Sequence, residues 1–302
     1  MDKMRQWRVR PLALVLCLCT GTGLVAQTFR ATIDTVQVNV TVTDAAGRLV
    51  TGLSKDDFEI LEDGAPQTIT VFTDERVPIS LGVLLDSSDS MRGQRIADAR
   101  AAVDQFVSML IDAGDEAFIA AFNHRPRLIG PWTQPPSLLA GTLDELYPSG
   151  ATALYDALVA SASLFGRRTN PRAALVVISD GVDTASDVTL RQATDAVRRF
   201  EPLVYAIAID SATAMANRRV APEALREITG TSGGYTEVVR SSVDLGPATE
   251  RIANELNKQY TLGYVPSRLP DDGWRGIRVR VRNSEYFTRA RRGYYAVRNG
   301  ER

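Results

Sequence analysis

Apolar residues recur along this chain with two different periods, and the change of period divides it. Thr35 to Thr43 reads TVQVNVTVT, with Val36, Val38, Val40 and Val42 alternating against polar neighbours. A period of two predicts a half-buried strand. Asp44-Ala45-Ala46-Gly47 predicts a turn, with a strand resuming over Arg48 to Val50. Phe58 to Leu61 and Thr68 to Phe72 predict two more short strands around the turn signal Glu62-Asp63-Gly64. From Ile79 the pattern changes. Ile79 to Leu85 is apolar almost throughout, and Arg92 to Ile111 then carries Ile96, Ala99, Val103, Phe106, Val107 and Leu110 on one helical face.

The alternation continues for some 180 residues. Strands are predicted at Ala117 to Phe122, Arg127 to Trp132 (an edge), Leu175 to Ser179, Leu203 to Ile209 and Tyr235 to Val239. Helices are predicted at Leu154 to Phe165, Leu190 to Phe200, from Pro222 to before Gly233-Gly234, and at Val243 to Lys258. Strands alternating with helices imply a doubly wound, mostly parallel sheet covered on both faces. After residue 258 the period of two returns, with strands predicted at Tyr260 to Val265, Ile277 to Val281 and Tyr286 to Ala290. The division is therefore a β segment at 27–78, an α/β domain at 79–258 and a β segment at 259–302. Neither β segment has enough strands to bury a core alone. Residues 44–75 hold eight acids and two bases, whereas 268–302 hold ten arginines and four acids. Opposite charge favours pairing of the two segments, so the α/β domain is expected to be inserted in, or flanked by, a small β-sandwich-like domain.

Composition narrows the chemistry. The 302 residues are 44% hydrophobic and 24% charged, ordinary globular usage, with a formal net charge of -1 that argues against a uniformly basic nucleic-acid binder. A single histidine, His124, excludes any mechanism needing two imidazoles and any zinc site built on several histidines. The two cysteines, Cys17 and Cys19, lie in an apolar run, Pro11 to Ala26, that follows Lys3, Arg5, Arg8 and Arg10. That order predicts a secretory signal peptide over 1–26, with an uncleaved N-terminal anchor as the alternative. Without it the chain has 31 basic and 35 acidic residues, net -4, and no cysteine, so packing rather than disulfides must hold it. The expected location is secreted, periplasmic or cell-envelope, with peripheral envelope association open.

Leu84-Leu85-Asp86-Ser87-Ser88-Asp89-Ser90 places Asp-x-Ser-x-Ser at the carboxyl end of a buried strand, the edge of an α/β sheet where ligands bind. Gly150-Ala151-Thr152 puts a threonine in a loop before a helix, and Leu175 to Ser179 runs into Asp180-Gly181. Asp86, Ser88, Ser90, Thr152 and Asp180 thus come from three loops on one sheet edge. They are hard oxygen donors suited to Mg²⁺ or Mn²⁺ rather than zinc. Each piece alone has a plainer reading. Serine or threonine before a helix is commonly an N-cap, and Asp-Gly is commonly a turn.

With these motifs, residues 79–258 resemble the von Willebrand factor type A domain with its metal-ion-dependent adhesion site. The flanks, Asp56-Asp57-Phe58 through Glu62-Asp63-Gly64 and Tyr260 to Tyr264 with Arg292 to Tyr295, resemble a secreted bacterial branch of that family. The resemblance implies that Ser88, Ser90 and Thr152 coordinate the metal, that Asp86 and Asp180 act directly or through water, and that one position is left for a ligand carboxylate. The implied function is cation-dependent capture of a partner protein presenting an acidic residue, with no nucleic acid involved and no enzymatic turnover. Ala151 stands where a second glycine is common, and Asp89 where glycine is frequent. The alternative function is an envelope scaffold that binds acidic polymer through the C-terminal arginines, with the metal only stabilising loops.

Overall fold

A strand that is apolar at every position has no face to leave in water and must be covered on both sides. That condition holds for four runs in the middle of the chain, and it sets the architecture. The computed structural model describes residues 35–112, 114–179, 183–209 and 222–297. The expected signal segment, 1–26, and Asp180 lie outside the described residues.

The first strands are β1 (Val36–Thr43), β2 (Phe58–Glu62), β3 (Ala65–Gln67) and β4 (Ile69–Thr73). The α/β part follows as β5 (Ile79–Asp86), α1 (Gln94–Gln105), β6 (Glu116–Phe122), β7 (Pro126–Thr133), α2 (Leu154–Leu164), β8 (Arg172–Ser179) and α3 (Leu190–Phe200). It continues through β9 (Leu203–Ile209), α4 (Pro222–Ser232), β10 (Thr236–Val239) and α5 (Leu245–Asn257). The chain then returns to β11 (Tyr260–Tyr264), β12 (Trp274–Val281), β13 (Phe287–Arg289) and β14 (Gly293–Tyr295).

Six strands form one sheet in the order β10-β9-β8-β5-β6-β7. All neighbours are parallel except β7, which runs antiparallel at the edge. Every residue of β5, β6, β8 and β9 is buried. Leu81, Val83 and Leu85 pack with α1 and α5 on one face, and Leu84, Phe118, Leu175 and Val177 pack with α2, α3 and α4 on the other. Gly82 is required by packing: a β-carbon there would stand 2.4 Å from the Phe118 ring.

The outer strands form two four-stranded antiparallel sheets, β13-β1-β11-β4 and β14-β12-β2-β3. Each sheet mixes strands from before and after the α/β part. Val36 to Val40 pair with Tyr264 to Tyr260, and Phe58 to Glu62 pair with Val281 to Ile277. Val38, Val40, Ile60, Leu262 and Ile277 fill the space between the sheets. The opposite charge of the segments has a buried expression here. Glu62 accepts hydrogen bonds from Tyr264 (2.7 Å), Tyr294 (2.9 Å) and Arg275 (3.3 Å), and next to it Asp63 pairs with Arg268. Burial and the adjacent carboxylate push the Tyr294 phenol up to about 12 and Tyr264 further still.

Some local readings change. Arg48 to Val50 makes only one bridge, Thr43 to Leu49, because the Asp44 carboxylate holds the turn through the amides of Ala46 and Arg48 and the Arg48 side chain. The first helix starts at Gln94, after Gly93 at φ +73°, and its end widens into a π-turn over Phe106–Leu110. β3, which contains Pro66, and β14, which contains Gly293, are too short for alternation to mark them.

Two further clusters of buried polar groups lie inside the α/β part and between it and the sandwich. At the foot of the six-stranded sheet, Glu116 accepts from the Ser80 hydroxyl (2.5 Å) and the Thr169 amide (2.6 Å). Burial opposes its charge, but the hydrogen bonds from Ser80, Thr169 and Asn170 outweigh that, so its pKa is held below the ordinary glutamate value. Beside α5, Glu255 accepts from Thr41 of β1 (3.0 Å) and Tyr205 of β9 (2.9 Å), and pairs with Arg289 of β13. Gln259 donates to Thr41 and Tyr205, both at 3.0 Å, and accepts from Arg172 at 2.7 Å.

A lowered folded-state pKa means that Glu116 contributes stability above its unfolded pKa of about 4.3, lost as pH falls through the lower folded value. Glu116→Gln is therefore expected to flatten the acid limb of stability below about pH 5, measured as the urea midpoint against pH. Glu255→Ala strands the Arg289 guanidinium and two hydroxyls, and is expected to cost about 3 kcal/mol in urea unfolding. Arg289→Met, which leaves Thr41 and Tyr205 bonded, should cost less.

Candidate metal centre

The carboxyl ends of parallel strands point one way, so the loops after β5, β6 and β8 must meet on one edge. Asp86 closes β5 and is fully buried. Its Oδ1 accepts from the Ser88 amide (2.8 Å) and its Oδ2 from the Ser179 hydroxyl (2.6 Å) at the end of β8. The Ser88 and Ser90 hydroxyls stand 2.9 Å apart. Ser88 is buried and Ser90 exposed.

The plainer reading of the serines as caps does not hold for Ser88. It precedes the short turn Asp89–Met91 but makes no side-chain cap bond. Nor is Thr152 the cap of α2: that position is Ala153, which has no capping side chain. The α2 start is instead served by Ser186, whose hydroxyl oxygen accepts from the amides of Tyr155 (3.0 Å) and Asp156 (3.1 Å).

The loops are laced through their backbones. The Ser87 amide donates to the Phe122 carbonyl (2.6 Å), Ser149 donates to Ser87 (2.8 Å), and Asp89 donates to Gly150 (2.9 Å). Thr152 is held from a third side. Its carbonyl accepts from Thr184 (2.8 Å) and Ala185 (3.1 Å), and its amide donates to the Thr184 hydroxyl (3.0 Å). Asp86, Ser88, Ser90 and the Thr152 backbone are thus brought to one edge, while Asp180 lies outside the described residues. Asp89 is exposed and ion-paired with Arg92 at 2.6 Å, so its charge is already matched. Arg95 donates to the Ser90 carbonyl at 2.7 Å.

Two contributors escaped the sequence reading. Ser179 had a visible signal, as a polar residue closing an otherwise apolar strand, but only the alignment of β5 with β8 brings it to Asp86. Thr184 had none, since its role depends on a backbone contact across loops. His124 lies in the turn between β6 and β7, exposed, with its ring against Gly150.

Residues 81–182 match the profile of the von Willebrand factor type A domain. No curated protein matches the chain. Among solved structures, the chain is similar to an aerotolerance-related membrane protein from Bacteroides fragilis, with 19% identity and a TM-score of 0.51 over 60% of this chain and 99% of that one. It is also similar to the vWF domain of the type V pili tip protein Mfa5 from Porphyromonas gingivalis, with 14% identity and a TM-score of 0.50 over 60% and 96%. A von Willebrand factor type A protein from Catenulispora acidiphila aligns with 12% identity and a TM-score of 0.51 over 87% of this chain and 72% of that one. At these identities the likeness is one of fold. Residues 81–182 are thus similar to the von Willebrand factor type A domain, and the mixed parallel and antiparallel sheets agree with that fold class.

Gly150 sits at φ +78°, and a β-carbon there would stand 3.1 Å from His124 Nδ1. Gly150→Ala is expected to destabilise the domain by about 1–2 kcal/mol, because the left-handed backbone region is disfavoured for alanine. Adding His124→Ala removes only the contact, so the double variant should recover part of the thermal shift and not all of it.

Proposed function

We propose that this protein is an exported binding module that captures a carboxylate of a partner protein through a divalent cation. The observation that carries this reading is the approach of the Ser88 and Ser90 hydroxyls to 2.9 Å beside a fully buried Asp86. Neutral hydroxyls next to a buried anion suit a hard cation such as Mg²⁺ or Mn²⁺. Ser88, Ser90 and Thr152 would hold the ion, with Asp86 and Asp180 supplying negative charge directly or through water. The ion would supply Lewis acidity toward an incoming carboxylate. The protein's own part is to hold the donors still. Ser179 orients Asp86, and the Ser87–Ser149 and Asp89–Gly150 bonds fix the loops that carry the hydroxyls. A preorganised donor set loses little entropy on binding.

This reading assigns no turnover. The single imidazole, His124, packs its ring on the Gly150 backbone, and no hydrogen bond joins it to a serine among the described residues. Export is supported by the basic and apolar order of residues 1–26. An envelope or extracellular setting is also supported by similar folds in a protein described as a pilus tip and in one described as a membrane protein. No helix among the described residues is long and apolar enough to cross a membrane.

Titration calorimetry with Mg²⁺ and with Mn²⁺ tests the metal step. The combined change Ser90→Ala and Thr152→Ala is expected to weaken binding at least tenfold while leaving the circular dichroism unchanged. Equal affinity in the wild type and this variant would remove the proposal. Partner capture from an envelope extract should be lost with EDTA and restored by Mg²⁺.

A further inference from the structure

A second concavity lies at the other end of the six-stranded sheet, between the sandwich and α4. It encloses about 750 Å³. Its place follows from topology: α4 ends beside the start of β9, where the Val204 amide donates to the Ser232 hydroxyl at 2.9 Å. Asp86 closes β5 at the opposite edge, so the two sites are separate.

Four arginines and one acid line this cavity. Three of the five charges are already committed. Arg289 pairs with Glu255, Arg291 with Glu201 at 2.6 Å, and Asp63 with Arg268. Asp63 also accepts from the Gly276 amide at 2.8 Å. Arg278 and Arg292 are exposed, and neither side chain has an ion-pair or hydrogen-bond partner among the described residues. Arg280, two residues along β12 from Arg278, faces Glu59 across the sheet, whereas Arg278 faces Leu61. The cavity therefore presents two arginine charges that no acid among the described residues matches.

Arg292 is also rigidly placed. Its amide donates to the Thr231 carbonyl (3.1 Å) and its carbonyl accepts from the Ile277 amide (2.8 Å), so its backbone is clamped between α4 and β12. Its guanidinium lies near Gly230 in the last turn of α4, where the helix dipole favours a cation but does not cancel a full charge. The remaining wall includes Leu61 and Ala290, both half-buried, apolar surface that a bare inorganic ion would leave uncovered. The volume falls in the range of small-molecule sites.

We infer that this cavity binds a small organic anion, a carboxylate or phosphate carried on a sugar-sized carbon body. Arg278 and Arg292 take the oxyanion, and Leu61 and Ala290 take the carbon skeleton. The ligand is either free or the terminal unit of an acidic oligosaccharide. The site is independent of the cation reading.

Calorimetry on the full chain in EDTA keeps the metal centre out of the measurement. The probes are digalacturonate, octagalacturonate, glucose 6-phosphate, maltose and inorganic phosphate. The expected result is saturable binding of digalacturonate or glucose 6-phosphate, at least tenfold tighter than either maltose or phosphate. Octagalacturonate binding tighter than the dimer identifies a polymer terminus as the source, and equal binding identifies a free small anion. Arg278→Ala with Arg292→Ala should weaken binding at least tenfold, whereas Arg92→Ala, on the loop after β5 at the opposite edge of the sheet, should not. Leu61→Trp, which keeps every charge and narrows the apolar side of the cavity, should also weaken binding. No binding of any organic anion, unchanged binding in both the double-arginine and Leu61→Trp variants, or phosphate binding as tightly as the organic anions would overturn the inference.

Discussion

The contact on which the two halves of this protein depend is the buried polar chain at the end of α5. Glu255 gathers Thr41, Tyr205 and Arg289, and Gln259 passes the chain on to Arg172. These residues belong to β1, β9, β13, the α5–β11 junction and β8. No apolar contact could do the same work, because hydrophobic packing does not specify partners one atom at a time. Here each hydroxyl both donates and accepts, and the Gln259 amide uses both its ends. A partly satisfied network would be worse than an apolar junction. The carboxylate, the two hydroxyls and the amide are all bonded here, and only the Nε atoms of Arg172 and Arg289 have no partner among the described residues. Burial drives the Tyr205 phenol well above its ordinary pKa.

That junction has a consequence for the sandwich. Its strands come from both ends of the chain, so neither sheet closes until the α/β part has brought residue 260 back to β1. The second buried cluster, Glu62 with Arg275, Tyr264 and Tyr294, then ties the opposite sheet to β11. A buried ion pair contributes little net stability compared with an apolar replacement. Its effect here is on register: slipping β12 by one residue against β2 would turn Arg275 away from Glu62 and expose Ile277 and Val279.

The loop edge that carries Asp86 follows a different logic. Its loops are positioned by backbone lacing rather than by apolar packing, and neither Ser88 nor Thr152 caps the element that follows it. Gly150 allows one of those loops to turn back over Asp89, and the His124 ring covers the space that a side chain there would occupy.

The sequence by itself determined the class of this fold. Fully apolar runs such as Ile79 to Leu85 require two covered faces, and the alternation of Val36 to Val42 requires one, so the parallel sheet and the antiparallel strands were both legible. It also placed Asp86, Ser88 and Ser90 at a strand's carboxyl end, because that position follows from strand order alone. Tertiary structure decided what periodicity cannot encode. The pairing of Ser179 with Asp86 depends on sheet register, the hold of Thr184 on Thr152 depends on loop backbone, and β3 and β14 exist only because longer strands offer them an edge. The charge asymmetry between the terminal segments was visible from the start, but its meaning was not. Only the folded chain separates the arginines matched by acids, Arg268, Arg275, Arg289 and Arg291, from Arg278 and Arg292, since an ion pair is a fact of distance and not of composition.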